Sequence, residues 1–428
     1  MAIKIKSGFP LLLSALTSAE RNIIKGISAL AARRGERAYI VGGFARDILL
    51  GFPNLDIDCA VEGDACSLAE ELVSELGGEV SLNRKFNTAK IKAEDLTIDI
   101  ASAREEQYAA AGELPVIRLS TIKQDALRRD FTVNALYISI NPHDFGKLCS
   151  AESHLTDLKK GVIRVFHDGS FEDDPTRIFR AVRFAARFGF RIEPRTKGLI
   201  LKALKDGMLK NISPFRAKRE LMLLMTEINA PEAMQTALSL GLAGKILPDV
   251  KKNAVRDLKT GRLIWLDFFI YLGGQFSLPL YMLLILLKDV SPGRQKTFVQ
   301  NLNFGKKDTA AILFPRKNIN KILREIIKND PAWRVEADAL RDEQLLFIVL
   351  IAAADNPANF QKTEKRVMDY LLHLKRKKPF HSSAELIRMG FPAETLGTLA
   401  KEITRGRRGG EILSKSQEYS FLVRKLKK

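Results

Sequence analysis

Cysteine and histidine are scarce in this chain, with three Cys and five His in 428 residues. Cys59, Cys66 and Cys149 form no CxxC pair and no even framework. That excludes a disulfide scaffold or a thiolate metal site and suits a reducing, cytoplasmic setting. The histidines lack metal-ligand spacing, and His143-Asp144 and His167-Asp168 have no companion His–Asp cluster, so each reads as a loop pair. Long apolar runs are missing too. Pro10-Leu11-Leu12-Leu13 is too short for a secretory signal, and no small-residue cleavage pattern follows it. The stretch from Leu263 to Leu287 is broken by Asp267, Gly273, Gly274, Gln275 and Pro279, which predicts two buried core helices and no membrane span. Neither a low-complexity tract nor a fixed repeat period appears, so disorder and a solenoid are not indicated.

Positive charge is abundant. Sixty-nine Lys and Arg against fifty Asp and Glu leave a formal charge of +19. Basic surface gains free energy by releasing counterions from phosphates, so a polyanionic partner is favoured over a membrane surface, for which no amphipathic basic anchor stands out. At this length two or more domains are expected.

Thr17 to Glu20 makes a capping box ahead of a helical pattern running to about Arg34. Short strands are predicted at Ala38 to Val41, Leu55 to Val61, Ala89 to Lys92, Leu96 to Ala101 and Ala135 to Ile140, with a helix at Ser67 to Leu76. Strands mixed with helices persist to about Val165. After Phe171 the pattern is helical throughout, at Pro175 to Phe188, Pro214 to Ile228, Pro231 to Leu240, Leu280 to Leu287, Asp342 to Ala354 and Lys365 to Lys375. The expected fold is α+β, a compact head over residues 1–165 followed by all-helical segments over 166–230 and 231–428.

The first chemical feature is Asp56-Ile57-Asp58. Residues i and i+2 of a strand share a face, so Leu55, Ile57 and Cys59 point to the core and both carboxylates point away. A second strand repeats the pattern, with Leu96, Ile98 and Ile100 inward and Asp99 opposite. Carboxylates converging from adjacent strands can hold one or two Mg2+ ions, hard cations that prefer oxygen ligands and nucleotide phosphates. Before them, Gly42-Gly43-Phe44-Ala45-Arg46-Asp47 follows a strand and opens a helix, where backbone N–H groups can approach a phosphate and Arg46 can add charge-assisted bonds. A plain strand-to-helix turn followed by strand-edge aspartates is the bland alternative.

These residues resemble a known family. Gly42-Gly43-x-x-Arg46-Asp47-x-Leu49-Leu50-Gly51, then Asp56-x-Asp58, resembles the first motif of the class II tRNA nucleotidyltransferase and bacterial poly(A) polymerase family. Arg128-Arg129-Asp130-Phe131-Thr132-Val133-Asn134-Ala135 resembles its second, and Asp173-Asp174-Pro175-Thr176-Arg177 its nucleotide-selecting motif. Ser213 to Leu221 is a looser match to its last. The resemblance implies a polymerase-β-like nucleotidyltransferase head, a helical neck, and a body and tail that grip the tRNA acceptor arm. It implies Asp56 and Asp58 as catalytic, Mg2+-binding carboxylates, with Asp99 added from strand geometry. Nucleotide binding then falls to Gly42, Gly43, Arg46, Arg129, Asp130, Asn134, Asp173, Asp174, Arg177 and Arg180, with ATP, and CTP where C is also added, as donors.

The selecting motif can also be read from chemistry. Asp174 before Pro175 is a good helix start, and Arg180, Arg183 and Arg187 share one face of the helix that follows, opposite Ile178, Val182 and Ala185. Cytosine and adenine both present an exocyclic amine beside a ring-nitrogen acceptor. A carboxylate accepts from the amine while a guanidinium donates to the ring nitrogen; uracil and guanine present the opposite pairing. At the first acidic position stands Asp173, where Glu is commoner in the family. From Cys149 to Leu158 the family's Gly pair is absent, while Asp157-Leu158 and Arg164 fit.

Arg84-Lys85-Phe86-Asn87-Thr88 is closer to the pattern of tRNA enzymes than to the Gly-Arg-Arg-Phe of poly(A) polymerases. Ala103-Arg104-Glu105-Glu106-x-Tyr108, followed by Gly112 to Val116, resembles the loop that goes with adding the terminal A. Addition of CCA, addition of the last A alone, a poly(A) polymerase and an RNA-binding scaffold without catalysis all remain open. The basic runs Lys375 to Lys378 and Arg405 to Arg408 are expected either to contact phosphates or to be solvated charge.

Overall fold

The structure is a computed structural model that describes residues 16–52, 57–93, 96–107, 116–247, 249–251, 253–272, 276–375 and 378–426. The chain divides into two compact units, one ending at Arg216 and one starting at Ala217.

The first unit is built on a mixed six-stranded sheet. Its strands are β1 (Ala38–Val41), β2 (Ile57–Val61), β3 (Glu79–Asn83), β4 (Thr88–Ala93) and β5 (Leu96–Ser102). A β6 (Arg104–Gln107) and β7 (Val116–Leu119) hairpin stands apart, and β8 (Tyr137–Ser139) returns to the sheet. The order is β3-β4-β5-β2-β1-β8, and the β2–β5 pair alone runs parallel. Alternation does what the sequence suggested: Ile57, Cys59, Ile98 and Ile100 are buried while Asp58 and Asp99 are only partly covered. The Ser18–Arg33 helix packs on the Ala65–Leu76 helix, and the latter on β3, β4 and β5. Its start carries the expected capping box, with Thr17 Oγ1 accepting from Glu20 N and Glu20 accepting from Thr17 N. The other face holds Tyr39, Val41, Ala60, Ala135 and Tyr137 against Ile122 and Ala126 of the Ile122–Leu127 helix.

β3 and the β6–β7 hairpin were not among the predicted strands. β3 alternates exposed with half-buried residues, so it carries no buried stripe to read. The expectation of helix alone after Phe171 also needs correction: β9 (Val162–Ile163) and β10 (Arg191–Ile192) form a parallel pair. Thr132 N donates to Arg164 O and Glu193 N to Ile163 O, so the chain beyond Val165 is stitched back onto the head. Between them runs the Thr176–Phe188 helix, with Ile178, Phe179, Ala181 and Val182 fully buried.

The second unit is helical throughout its described residues. Leu280 to Leu287 are all buried in and beside the Leu278–Leu286 helix, which packs against the Ala254–Leu272 and Asp342–Asp355 helices. The first half of the predicted buried pair behaves differently: Leu263 and Ile270 are 64% and 74% exposed on the outer face of the Ala254–Leu272 helix. Among the described residues no helix is long and apolar enough to cross a membrane. A smaller core at the end joins Leu386, Leu399, Ile403, Ile412 and Leu422.

Candidate active site

β1 is buried at every position and delivers the chain to the Gly42–Leu50 helix. Its N-cap, Val41, offers no side-chain cap; Gly42 N donates to Leu136 O at 3.1 Å, and the N–H groups that follow in the first turn have no cap from Val41. Gly42 has φ +68°, and a Cβ there would lie 2.8 Å from Arg129 Nη1 and 3.8 Å from Asp58 Oδ2. Both conformation and space therefore call for glycine at this position.

An open cleft of about 610 Å³ lies in front of this turn. Its lining holds Arg46, Arg128, Arg129, Arg177, Arg180, Arg183 and Arg187 against Asp47, Asp58, Glu106, Asp130 and Asp174, seven cations to five anions. An anionic, polyvalent ligand fits that balance. Asn134, Gly42, Gly43 and Phe184 complete the walls.

The predicted site residues are not all used alike. Arg46 is 3% exposed; its Nε bonds Asp47 at 2.7 Å, its Nη1 bonds Asn134, and its guanidinium lies over the Phe188 ring. Burial lowers its pKa from the ordinary value, with Asp47 opposing. Asp130 is enclosed: Oδ1 accepts from Phe131 N and Asn134 Nδ2, both at 2.9 Å, and Oδ2 accepts from Arg180 Nε and Nη2, both at 2.7 Å. Burial works against its charge, yet Arg180, Asn134 and Arg177 outweigh burial and hold the carboxyl below the usual carboxylate range. Arg46, Asp130, Asn134 and Arg180 thus brace one another as a wall of the cleft.

The acidic pair of the selecting motif is split. Asp174 lines the cleft, whereas Asp173 ends the short helical turn Ser170–Asp173 and faces His167 at 3.4 Å. Asp174 Oδ1 accepts from Thr176 N (3.0 Å), Thr176 Oγ1 (2.7 Å) and Arg216 Nη2 (2.8 Å). Among the described residues nothing donates to its Oδ2. Arg177 is 5% exposed; Nη2 donates to Arg128 O at 2.9 Å, and Nη1 is buried with no partner among the described residues. Two residues that line one cleft thus keep a carboxylate oxygen and a buried guanidinium nitrogen without partners among the described residues.

Asp58 and Asp99 stand directly opposite in the parallel β2–β5 register. Lys90 Nζ bonds Asp99 Oδ2 at 2.8 Å, so Asp99 already has a cationic partner. A second cavity, about 550 Å³, follows the sheet; Asp58 and Arg129 line both cavities, while Lys90 and Asp99 line the second. Asp56 lies outside the described residues. Among the described residues no three His, Cys, Asp or Glu groups gather as a metal cluster. Asp58, a hard-oxygen donor beside an open backbone, is of the type that Mg2+ accepts.

Comparison with known proteins gives the family. Residues 38–164 match the poly A polymerase head domain, and residues 189–253 match a probable RNA- and SrmB-binding site of polymerase A. A solved tRNA nucleotidyltransferase, in complex with a primer tRNA and an incoming ATP analog, superposes with a TM-score of 0.68. It is 30% identical, over 80% of this chain and 97% of that one. The chain belongs to this family of tRNA nucleotidyltransferases and poly(A) polymerases. Among curated relatives, the A-adding tRNA nucleotidyltransferase of Halalkalibacterium halodurans is 41% identical over 50% of each chain. The CC-adding tRNA nucleotidyltransferase of the same organism is 31% identical over 47% of this chain and 48% of that one. The chain spans about half the length of these curated relatives.

Three residues of this family member were not anticipated as site residues. Asp125 binds Arg128 and Arg129 together, Glu106 binds Arg104 (2.9 Å) and Arg128 (3.0 Å), and Arg216 reaches Asp174. For Asp125 a signal existed, since an acid three and four residues before two arginines on a helical segment is a pairing pattern. Arg216 lies in the loosely matching last motif. Glu106 lies in the segment singled out as a resemblance, but its bond to Arg128, 22 residues away, had no local signal.

Proposed function

We propose that this chain is a template-independent tRNA nucleotidyltransferase that adds AMP to the 3′ end of tRNA. Asp174 Oδ2 and Arg177 Nη1, without partners among the described residues and belonging to two residues that line one arginine-rich cleft, carry the reading. Adenine offers an N6 amine to the carboxylate and N1 to the guanidinium; cytosine offers N4 and N3 in the same sense. Guanine and uracil would set carbonyl against carboxylate and N–H against guanidinium, leaving buried groups unpaired at about 1–3 kcal/mol each.

The triphosphate lies against the turn at Gly42, with the Gly43 N–H and Arg129 as donors, and Arg183 and Arg187 add charge from the Thr176–Phe188 helix. The tRNA 3′ end enters the second cavity, which meets the first at Asp58. The 3′-hydroxyl gives its proton to solvent as its oxygen attacks the α-phosphorus, the bond to the oxygen bridging the α- and β-phosphates breaks, and pyrophosphate leaves. Asp58, with Asp56, would hold Mg2+, which when bound supplies positive charge to the phosphates and acidifies the hydroxyl. Arg129 and the helix N-terminus retain the pyrophosphate as charge builds on it. Greater identity to the A-adding than to the CC-adding relative favours the terminal A as product.

The test supplies purified protein with tRNAs ending in the discriminator base, in C and in CC, each with CTP, ATP or both. Extension of the CC-ended tRNA alone, by one A, is the expected result. Building CCA from the discriminator base would make it a complete CCA-adding enzyme, and long A tracts a poly(A) polymerase. RNA binding without any extension would sink the catalytic reading.

A further inference from the structure

Asp125 touches neither cavity, and it is 1% exposed in the Ile122–Leu127 helix. Its Oδ1 accepts from Arg128 Nε (2.9 Å) and Nη2 (2.6 Å), and its Oδ2 accepts from Arg129 Nε (3.2 Å) and Nη2 (2.9 Å). One carboxylate therefore grips two consecutive guanidiniums by the same edge of each. Both Nη1 groups are left pointing onward. Arg129 Nη1 lies over Gly42 and 3.5 Å from Asn134 O, while Arg128 Nη1 meets Glu106. Neighbouring side chains usually diverge. Here they converge because Arg128 takes the helical conformation that closes the Ile122–Leu127 helix. The main chain pinned in this way supplies Arg128 O, the acceptor on which Arg177 Nη2 rests.

We propose that Asp125 is a positioning residue that sets the aim of two arginines at once: Arg129 towards phosphate, and Arg177, through the Arg128 carbonyl, towards the base. The proposal rests on the nucleotide-binding reading of the cleft above. Nucleotide affinity and base preference are therefore coupled through one buried carboxylate. Burial opposes its charge, but Arg129 and Arg128 overcome that and hold the carboxyl below its ordinary range. A neutral amide has one acceptor oxygen instead of two, and its NH2 would face a guanidinium, so it must release at least one arginine.

The experiment measures equilibrium binding of ATP and GTP to the full chain, as wild type, Asp125→Asn, Asp125→Glu and Arg129→Ala, with thermal melts alongside. Asp125→Asn is expected to melt cooperatively, weaken ATP about 10- to 100-fold, and lower the ATP-to-GTP affinity ratio about 10-fold. Asp125→Glu keeps the charge with a longer arm; it is expected to recover most ATP affinity while the base ratio stays below wild type. In the Arg129→Ala background, Asp125→Asn should lower the base ratio and cost little further ATP affinity. An Asn protein that folds with wild-type affinity and ratio overturns the proposal. So does full additivity with Arg129→Ala, or, should the Asn protein not fold, a Glu protein with an unchanged ratio. Binding is read without turnover, so a wild type that binds ATP and extends no tRNA refutes the transfer reading alone.

Discussion

Arginine and lysine are plentiful in both units, yet they are organised in opposite ways. In the first unit seven arginines converge on one cleft, braced from behind by Asp47, Asp125 and Asp130, and Arg177 keeps an unpaired Nη1. In the second unit three basic residues that stood out in sequence, Lys375, Arg407 and Arg408, are bonded to their own chain, though Arg407 Nε and Arg408 Nε are buried with no partner among the described residues; Arg376 and Lys377 lie outside the described residues. Lys375 Nζ is bonded to Leu340 O and Asp342 Oδ1, both at 2.6 Å. Arg407 donates to Lys378 O and stacks on Phe380, and Arg408 pairs with Asp338. A cluster of cations is therefore not in itself a phosphate site. What distinguishes the cleft is a set of buried carboxylates that orients neighbouring guanidiniums around one cavity.

The strongest way to break this contrast is at the one carboxylate that lines both cavities and is not enclosed. Asp58→Ala is expected to cut AMP incorporation into CC-ended tRNA on the order of 1,000-fold while the protein stays folded. Retention of near-wild-type incorporation would remove Asp58 from the chemistry. Next in size is Arg177→Ala, which deletes the guanidinium with the unpaired nitrogen. kcat/KM for ATP should fall about 10- to 100-fold, and GTP should be rejected less strongly, as read by competing labelled nucleotides on one tRNA. A uniform loss with unchanged discrimination would make Arg177 a structural prop.

The third change probes the bracing and not the ligand. Asp130 has its folded pKa below the unfolded value of about 3.9, so its contribution to stability is present above that value. It is lost as pH falls through the lowered folded pKa. Asp130→Asn should destabilise the protein near neutral pH by about 3 kcal/mol, since it removes the buried carboxylate that accepts from Arg180. Below about pH 4 the gap between variant and wild type should narrow, as melting temperatures across pH would reveal. A gap that widened on acidification would contradict the depressed pKa.

Much of the head was legible because alternation is a strong signal where one face of a strand is buried. Ile57, Cys59, Ile98 and Ile100 marked β2 and β5 and turned Asp58 and Asp99 to the opposite face, while their standing directly opposite each other is a matter of strand pairing. The stripe of Arg180, Arg183 and Arg187 followed from helical spacing in the same way, and all three line the cleft. What stayed hidden was pairing across distance. That Lys90 answers Asp99, that Asp173 turns to His167 while Asp174 faces the cleft, and that Arg216 closes on Asp174 from 42 residues away all depend on tertiary geometry. Local periodicity has no term for any of these. The same blindness made Lys375, Arg407 and Arg408 look available.

Lys375 gives the smallest expected effect and the sharpest test of the comparison. Its ammonium has 15% exposure, and it closes a carbonyl and a carboxylate at the start of the Asp342–Asp355 helix. If it belongs to the fold, Lys375→Ala should lower stability by about 1–3 kcal/mol, the usual worth of bonds to a charged group. Its affinity for tRNA should then be unchanged at moderate salt, and so should the slope of log affinity against log salt. A lysine that neutralises a phosphate behaves in the reverse manner, with the slope falling by nearly one unit and stability hardly moving. Titrating tRNA at several salt concentrations, with a melt of the same preparations, separates the two. A reduced slope with an intact melt would mean that Lys375 leaves Asp342 for RNA, and the division between ligand-facing cleft and self-satisfied body would no longer hold at that position.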